Sequence, residues 1–287
     1  MSKARRSSFF TYAIKFAALA VVALLCQSAS RAQWEAVYKL GEDFAKQLHN
    51  QNAGIIAVSD PWWSGGSGLE LGHYLAVSLD AALRDYGKDS DKLRVLEHKN
   101  IHETVMRLHL PLAAIGSAES RKTIADAGFA DVIVYGTLES DETSFKLVFS
   151  AENISDGKIL VARQVSFPKT SFTYCLTDPL PSKTGNEARK IRTDEHDPHL
   201  KIPICVRCPI PNYNDLARRH KLQGTSTFSV LISKDGRATG FQLIRMLGYG
   251  LDEHALENLK TWTFRPATLD GQAIDSIVPI EVTFRLY

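Results

Sequence analysis

Cys205 and Cys208 offer the most direct chemistry in the chain. A C-x-x-C spacing serves a redox pair, half of a zinc site or a small disulfide loop. A redox pair wants a helix N-terminus to stabilise its thiolate, and here Pro209 and Pro211 follow instead. Zinc would recruit His196 and His199 in the order H-x2-H-x5-C-x2-C. Those histidines sit in a charged stretch, and they precede the cysteines. A structural disulfide suits the context best, because a C-terminal unit of roughly 85 residues buries only a modest core and gains from a staple. Cys175 is able to replace either partner.

The remaining chemistry-bearing groups are scattered. Gly66, Gly68 and Gly72 follow an apolar run and open a helical pattern. Their spacing misses G-x-G-x-x-G by one residue, which makes them a strand-to-helix connection rather than a phosphate cradle. Trp62-Trp63 offers a partner or glycan contact, or packing beneath that loop. The 9 histidines contain no H-E-x-x-H array. His98 and His102, four apart, share a helix face with no third ligand in view, and His109 stands alone. No nucleophile elbow is visible, and Asp194 to Asp197 is a solvated charge run. No enzyme, metal or cofactor is expected from this pattern.

Composition leaves the class open within limits. The chain has 287 residues, 44% hydrophobic and 23% charged, with a formal net charge of +2. That balance is globular, fits two domains as easily as one, and carries no basic run for nucleic acid. Lys3, Arg5 and Arg6 precede an apolar run from Phe16 to Leu25, and Ser30-Arg31-Ala32 stands before Gln33. This is the layout of a secretory signal over residues 1–33 and implies a periplasmic protein. Phe9 to Cys26, retained as an inner-membrane anchor, is the alternative, although Lys15 interrupts it. Arg5-Arg6 fits twin-arginine export poorly, and Leu25 is too large beside Cys26 for a lipoprotein cut. Cleavage discards Cys26 and leaves three cysteines in an oxidising compartment, where a disulfide is favoured.

Three segments follow the signal. Residues 34–168 alternate strands and helices. Gly54 to Ser59, Leu93 to Leu96 and Asp131 to Leu138 read as strands. Leu69 to Asp85, Ile101 to Leu110 and Arg121 to Ala127 read as helices, the first with leucines at 71, 75, 79 and 83. Asp156-Gly157 between the runs 145–149 and 159–165 predicts a hairpin. The whole is an α/β layer domain. Residues 169–202, rich in Pro, Gly and mixed charge, read as a linker. Residues 203–287 form a small second domain: a helix from Asn212 to His220, strands Thr225–Ser233 and Gly240–Met246 around Asp235-Gly236, and a helix carrying Leu251, Ala255, Leu259 and Trp262. In the last strand Ile280, Val282, Phe284 and Leu286 alternate with Glu281, Thr283, Arg285 and Tyr287.

That second domain resembles the C-terminal domain of the TonB energy-transducer family. The resemblance rests on Pro209-x-Pro211-x-Tyr213, Ala217, Gly224, Asp235-Gly236, Leu251-Asp252-x-x-Ala255, Trp262-x-Phe264-x-Pro266-Ala267, Asp270-Gly271 and Phe284 in that order. It implies an α+β fold, an antiparallel sheet with helices on one face, and a periplasmic module whose sheet edge accepts a receptor segment as an added strand. Two features depart from the transducer: no long Pro-rich spacer, and an N-terminal segment that looks cleavable. The first domain, through "AGFADVIVYGTLES" and "ISDGKIL", is similar to the FlgO, curli-assembly and TolB amino-terminal domains of bacterial envelope assemblies. The expectation is an exported, non-enzymatic adaptor for an envelope protein such as an outer-membrane receptor, with no nucleic acid. Its contact would be framed by Asn214, Arg218 and Arg219, or by Glu281, Thr283, Arg285 and Tyr287. Sheet edges also leave a homodimer open. The alternatives are an anchored energy transducer and a thiol- or zinc-dependent redox protein built on Cys205 and Cys208.

Overall fold

Trp34, Val37, Leu40, Phe44, Ala45 and Leu48 recur at helical spacing and are all buried. They make one face of a helix, α1, over residues 34–50, which the sequence reading did not single out. The structure, a computed structural model, describes residues 34–63, 69–88, 90–110, 112–177, 188–191 and 197–286. The expected signal segment, residues 1–33, lies outside the described residues, as do Gly66, Gly68, His196 and Tyr287. No described helix is long and apolar enough to cross a membrane.

After α1 come β1 (Gly54–Val58), β2 (Trp62–Trp63), α2 (Leu69–Gly87), β3 (Leu93–Val95) and α3 (His98–Arg107). A 3-10 turn (Leu112–Gly116), α4 (Ala118–Gly128), β4 (Val132–Ser140), β5 (Ser144–Asn153) and β6 (Ile159–Pro168) complete the first part. The strands form one sheet in the order β3-β1-β4-β5-β6, with β2 beside β4. Its β3, β1 and β4 run parallel, and β4, β5 and β6 run antiparallel. The centre is sealed on both faces. Ile56, Val58, Val132 and Val134 join the core of α1 and α2, while Ala57 and Ile133 face Ile101 of α3 and Ile124 of α4. The Asp156-Gly157 hairpin is present, with Gly157 at φ 70°.

The stretch read as a linker is partly folded. Ser171–Thr177 is a helix, α5, whose Phe172, Cys175 and Leu176 are buried. Three apolar side chains at i, i+3 and i+4 suffice to seat a two-turn helix, and so small a set is lost in the polar composition around it. Phe172 meets Tyr74 of α2 edge-on, with ring centroids 5.0 Å apart.

The C-terminal part holds β7 (Arg189–Lys190), β8 (Leu200–Lys201), β9 (Ile204–Arg207), α6 (Asp215–Arg219), β10 (Gly224–Ile232) and β11 (Ala238–Arg245). These are followed by α7 (Leu251–Leu259), β12 (Thr263–Arg265), β13 (Ala267–Leu269), β14 (Gln272–Ile274) and β15 (Ser276–Phe284). The main sheet runs β11-β10-β15-β7. Helix α7 stops at Leu259, so Trp262 lies past its end and not within it; the ring still packs against the core, and its indole N–H donates to Asn258 Oδ1 at 2.7 Å. Asp270 and Gly271 take φ of 51° and 83°. That double left-handed turn closes the β13–β14 hairpin. At Gly236 a Cβ would stand 1.9 Å from the Phe264 carbonyl oxygen. Only glycine lets the β10–β11 turn approach β12 this closely.

One continuous core runs through both parts. Tyr74 of α2 donates its hydroxyl hydrogen bond to Glu253 of α7, and both residues are fully buried. Asp252 beside it accepts from Ser226 Oγ, from Leu247 N–H at 2.9 Å and from Gly248 N–H at 2.7 Å. Burial pushes the Glu253 carboxyl up to about 8 from an ordinary 4.5. The folded chain therefore keeps a proton there that the unfolded chain releases near pH 4.5. Stability is full below that pH and falls as pH rises towards 8. We expect Glu253→Gln to flatten this decline, so that its urea midpoint relative to the parent rises between pH 5 and pH 8. A difference independent of pH would refute the assignment.

Candidate functional site

Two places in the fold gather groups able to recognise something else. The first is the outer edge of β15. On its inner side β15 pairs with β10 without interruption from Ser276 to Phe284. On its outer side β7 covers only Ser276 and Ile277. Arg189 N–H donates to the Asp275 carbonyl at 3.0 Å and Ile191 N–H to the Ile277 carbonyl at 2.9 Å. Strand alternation then turns the backbone groups of residues 279, 281 and 283 the same way, away from β10. Proline has no N–H, so past β7 the edge presents the N–H groups of Glu281 and Thr283 and the carbonyls of Pro279, Glu281 and Thr283. Among the described residues no strand pairs with this row.

The side chains expected to frame a contact divide between two faces. Glu281 and Thr283 are exposed together on one face of β15, and Arg285, just past its end, is exposed too. Glu281 lies 3.3 Å from Arg245 of β11, and the Thr283 hydroxyl lies 3.1 Å from that of Thr225. Asn214 caps α6: its Oδ1 accepts from Ala217 N–H at 2.7 Å and its amide donates to the Tyr249 carbonyl. Arg218 lies 6.0 Å from the Tyr213 ring centroid, and Arg219 is exposed. Tyr213 in turn meets Phe284 edge-on at 5.4 Å, on the buried face of β15. Helix α6 and the Glu281 row thus lie on opposite faces of the strand and do not form one patch.

The second place was missed in the sequence. His98 and His102 do share a face of α3, and a third and a fourth partner converge on them. Asp60, two residues past the end of β1, is 8% exposed. Its Oδ1 lies 2.8 Å from His98 Nε2 and 3.1 Å from His73 Nδ1, and its Oδ2 lies 2.9 Å from His102 Nδ1. His98 Nε2 and His73 Nδ1 are themselves 3.3 Å apart. The ligand atoms of Asp60, His73 and His98 lie within 4.8 Å of one another, close enough to share a metal ion. Burial alone would raise the Asp60 carboxyl; hydrogen bonds from His102, His73 and His98 instead hold it far below the usual carboxylate range. The same Asp60 contact raises His102. The sequence clue was an acidic residue just beyond the carboxyl end of a parallel strand, the place where residues from separate elements meet in such sheets. A cleft of about 230 Å³ opens beside the cluster, lined also by Glu70, Met106, Leu176, Leu243 and Met246.

The cysteines take the structural reading. Cys205 and Cys208 are joined in a disulfide, with Cα atoms 6.2 Å apart. It closes a small loop at the end of β9, which pairs with β12 through Cys205 and Phe264. Joined sulfurs are not thiolate ligands, so the pairing sets aside the zinc arrangement with His199. That histidine instead contacts Asp270 at 2.8 Å. Cys175 replaces neither partner, since it is buried and free on α5. Of the two tryptophans, Trp62 is 37% exposed and Trp63 packs on Phe145, with centroids 6.0 Å apart.

Residues 209–286 match the family model described as Gram-negative bacterial TonB protein C-terminal. Over 77 residues the chain is 32% identical to Protein TonB of Vibrio cholerae serotype O1, a match that takes in 26% of this chain and 32% of that one. The chain thus spans about a third of the curated relative's length. Among solved structures it is similar to the Pseudomonas aeruginosa TonB CTD, at 20% identity and a TM-score of 0.26, over 31% of this chain and 89% of that one. It is also similar to the LpoB C-terminal domain from Salmonella enterica, at 13% identity and a TM-score of 0.37, over 48% of this chain and 99% of that one.

Burial pushes the Cys175 thiol up to about 12, and a protonated, enclosed thiol is inert. A thiol titration should find no reaction at Cys175, Cys205 or Cys208 in the folded protein, one thiol of the three after unfolding, and all three after reduction as well. Reaction of all three in unfolded but unreduced protein would remove the disulfide.

Proposed function

With residues 209–286 a TonB C-terminal domain, we propose that the chain is an exported, non-enzymatic adaptor of the Gram-negative envelope. It captures an extended segment of an outer-membrane partner by strand addition at the outer edge of β15. The observation that carries this reading is the outward row of backbone groups from Pro279 to Thr283. An extended peptide laid along it meets two donors and three acceptors in register. The exposed Glu281, Thr283 and Arg285 then read alternate side chains of the added strand. Main-chain pairing supplies affinity and tolerates many sequences, while this mixed-charge face supplies the preference. Pro279 sets where pairing begins, because it lacks the donor that a longer ladder would need. The disulfide and the β9–β12 pair hold the chain entering the domain.

The direction of each N–H makes the test selective. Glu281→Pro and Thr283→Pro each delete an outward donor, whereas Val282→Pro deletes one that β10 uses. We expect the two outward variants to melt within a few degrees of the parent and to lose at least about tenfold in capture. Capture is read as crosslinking yield from a photoreactive residue at position 285 to an envelope protein. Val282→Pro should instead unfold the domain. Unchanged capture by both outward variants in folded protein would end the strand-addition reading.

A further inference from the structure

The geometry around Asp60 points to a metal site, and we propose that Asp60 Oδ1, His73 Nδ1 and His98 Nε2 bind one divalent ion of the zinc class, with a fourth position open to the cleft beside them. The three atoms form a triangle with sides of 2.8, 3.1 and 3.3 Å. A tetrahedral ion with bonds of about 2.0–2.1 Å spaces its ligands roughly 3.3 Å apart, so the triangle is close to one face of such a tetrahedron.

The tautomer of His98 sharpens the argument. Its Nδ1 lies 2.9 Å from the carbonyl oxygen of Val58. A carbonyl only accepts, so Nδ1 carries the hydrogen, and in the neutral ring Nε2 presents a lone pair. That lone pair faces the Asp60 carboxylate at 2.8 Å and a second imidazole nitrogen at 3.3 Å. Three such atoms need a positive centre among them: a shared hydrogen holds Asp60 to the rings in the metal-free protein, and a bound ion takes that place. The Nδ1–H to carbonyl bond is also the arrangement that orients a metal-bound histidine through its other nitrogen.

The scaffold holds these donors where a site needs them. Asp60 follows β1, His73 sits in the second turn of α2 and His98 opens α3, so a strand end and a helix from each face of the sheet each supply one donor. His98 is 4% exposed, which fixes its ring, whereas the side chain of His73 is 31% exposed and borders the cleft. His102 holds Oδ2 of Asp60 at 2.9 Å and acts as a positioning residue, turning Oδ1 towards the other two. The opening is also lined by Leu243, near the end of β11, and by Met246 just past it. An exogenous ligand at the fourth position would therefore touch both parts of the molecule. Two imidazoles and one carboxylate suit zinc, with cobalt(II) as its spectroscopic substitute.

The test uses the tag-free, disulfide-intact chain after dialysis against chelator. We expect titration with zinc to give one equivalent per chain, and cobalt(II) to give the intense visible bands of a four-coordinate site. His73→Ala, at the most accessible ligand, should weaken zinc at least about tenfold with an unchanged far-ultraviolet circular dichroism spectrum. His102→Ala should keep the one-to-one stoichiometry with a smaller loss of affinity. Cys205→Ser/Cys208→Ser should bind as the parent does. The proposal is overturned if the parent takes up no zinc beyond loose surface adsorption, if folded His73→Ala binds as tightly as the parent, or if the cysteine variant loses the ion.

Discussion

The hydrogen bond from Tyr74 to Glu253 joins two residues 179 positions apart in the deepest part of the core. Everything else is arranged around helix α2, which carries it. The next residue back, His73, leaves the same helix about 100° away, as successive residues must at 3.6 per turn. One helix therefore puts Tyr74 against α7 and His73 against Asp60. The position of the C-terminal sheet and the geometry of the histidine cluster are two consequences of one placement.

That contact is specific at some cost. Among the described residues, Glu253 Oε2 and Trp34 Nε1 are buried without a hydrogen-bond partner. Each such group costs on the order of 1–3 kcal/mol. The apolar set around them, including Phe172, Phe228, Leu251, Ala255 and Leu256, offsets that cost. Fully burying each large side chain is worth about 1.5–3 kcal/mol. Asp252, by contrast, is satisfied by three donors, which tie the loop before α7 to β10. Polar pairing fixes the register of α7, and apolar burial holds it down.

The two edges of the C-terminal sheet differ accordingly. β11 faces α5 and the cleft under the first part of the chain. On its outer edge β15 meets only the two residues of β7 among the described residues, and then continues. The open row and the histidine crevice thus belong to opposite edges of one sheet. The proposed strand addition at one and the proposed ligand site at the other would not compete for surface.

Local patterning was enough for the elements of the sheet layers. The alternation of Val282 and Phe284 with Glu281 and Thr283, the leucines of α2 and the Asp-Gly turns each satisfy a short-range rule that no distant residue overrides. The ordered run from Pro209 to Phe284 carried the TonB likeness for the same reason. The sequence did not show α5, because three apolar residues in a polar stretch form a helix only when Tyr74 and its neighbours are there to receive them. Nor did it show which β15 groups face outward, since that depends on β7 arriving from nearly ninety positions earlier. Asp60 and His73 were illegible as partners of His98 and His102. Their separations of 25 to 42 residues from those histidines match no motif. Periodicity along the chain determined the elements; convergence of side chains across the ends of separate elements is decided only when the sheet and its helices pack.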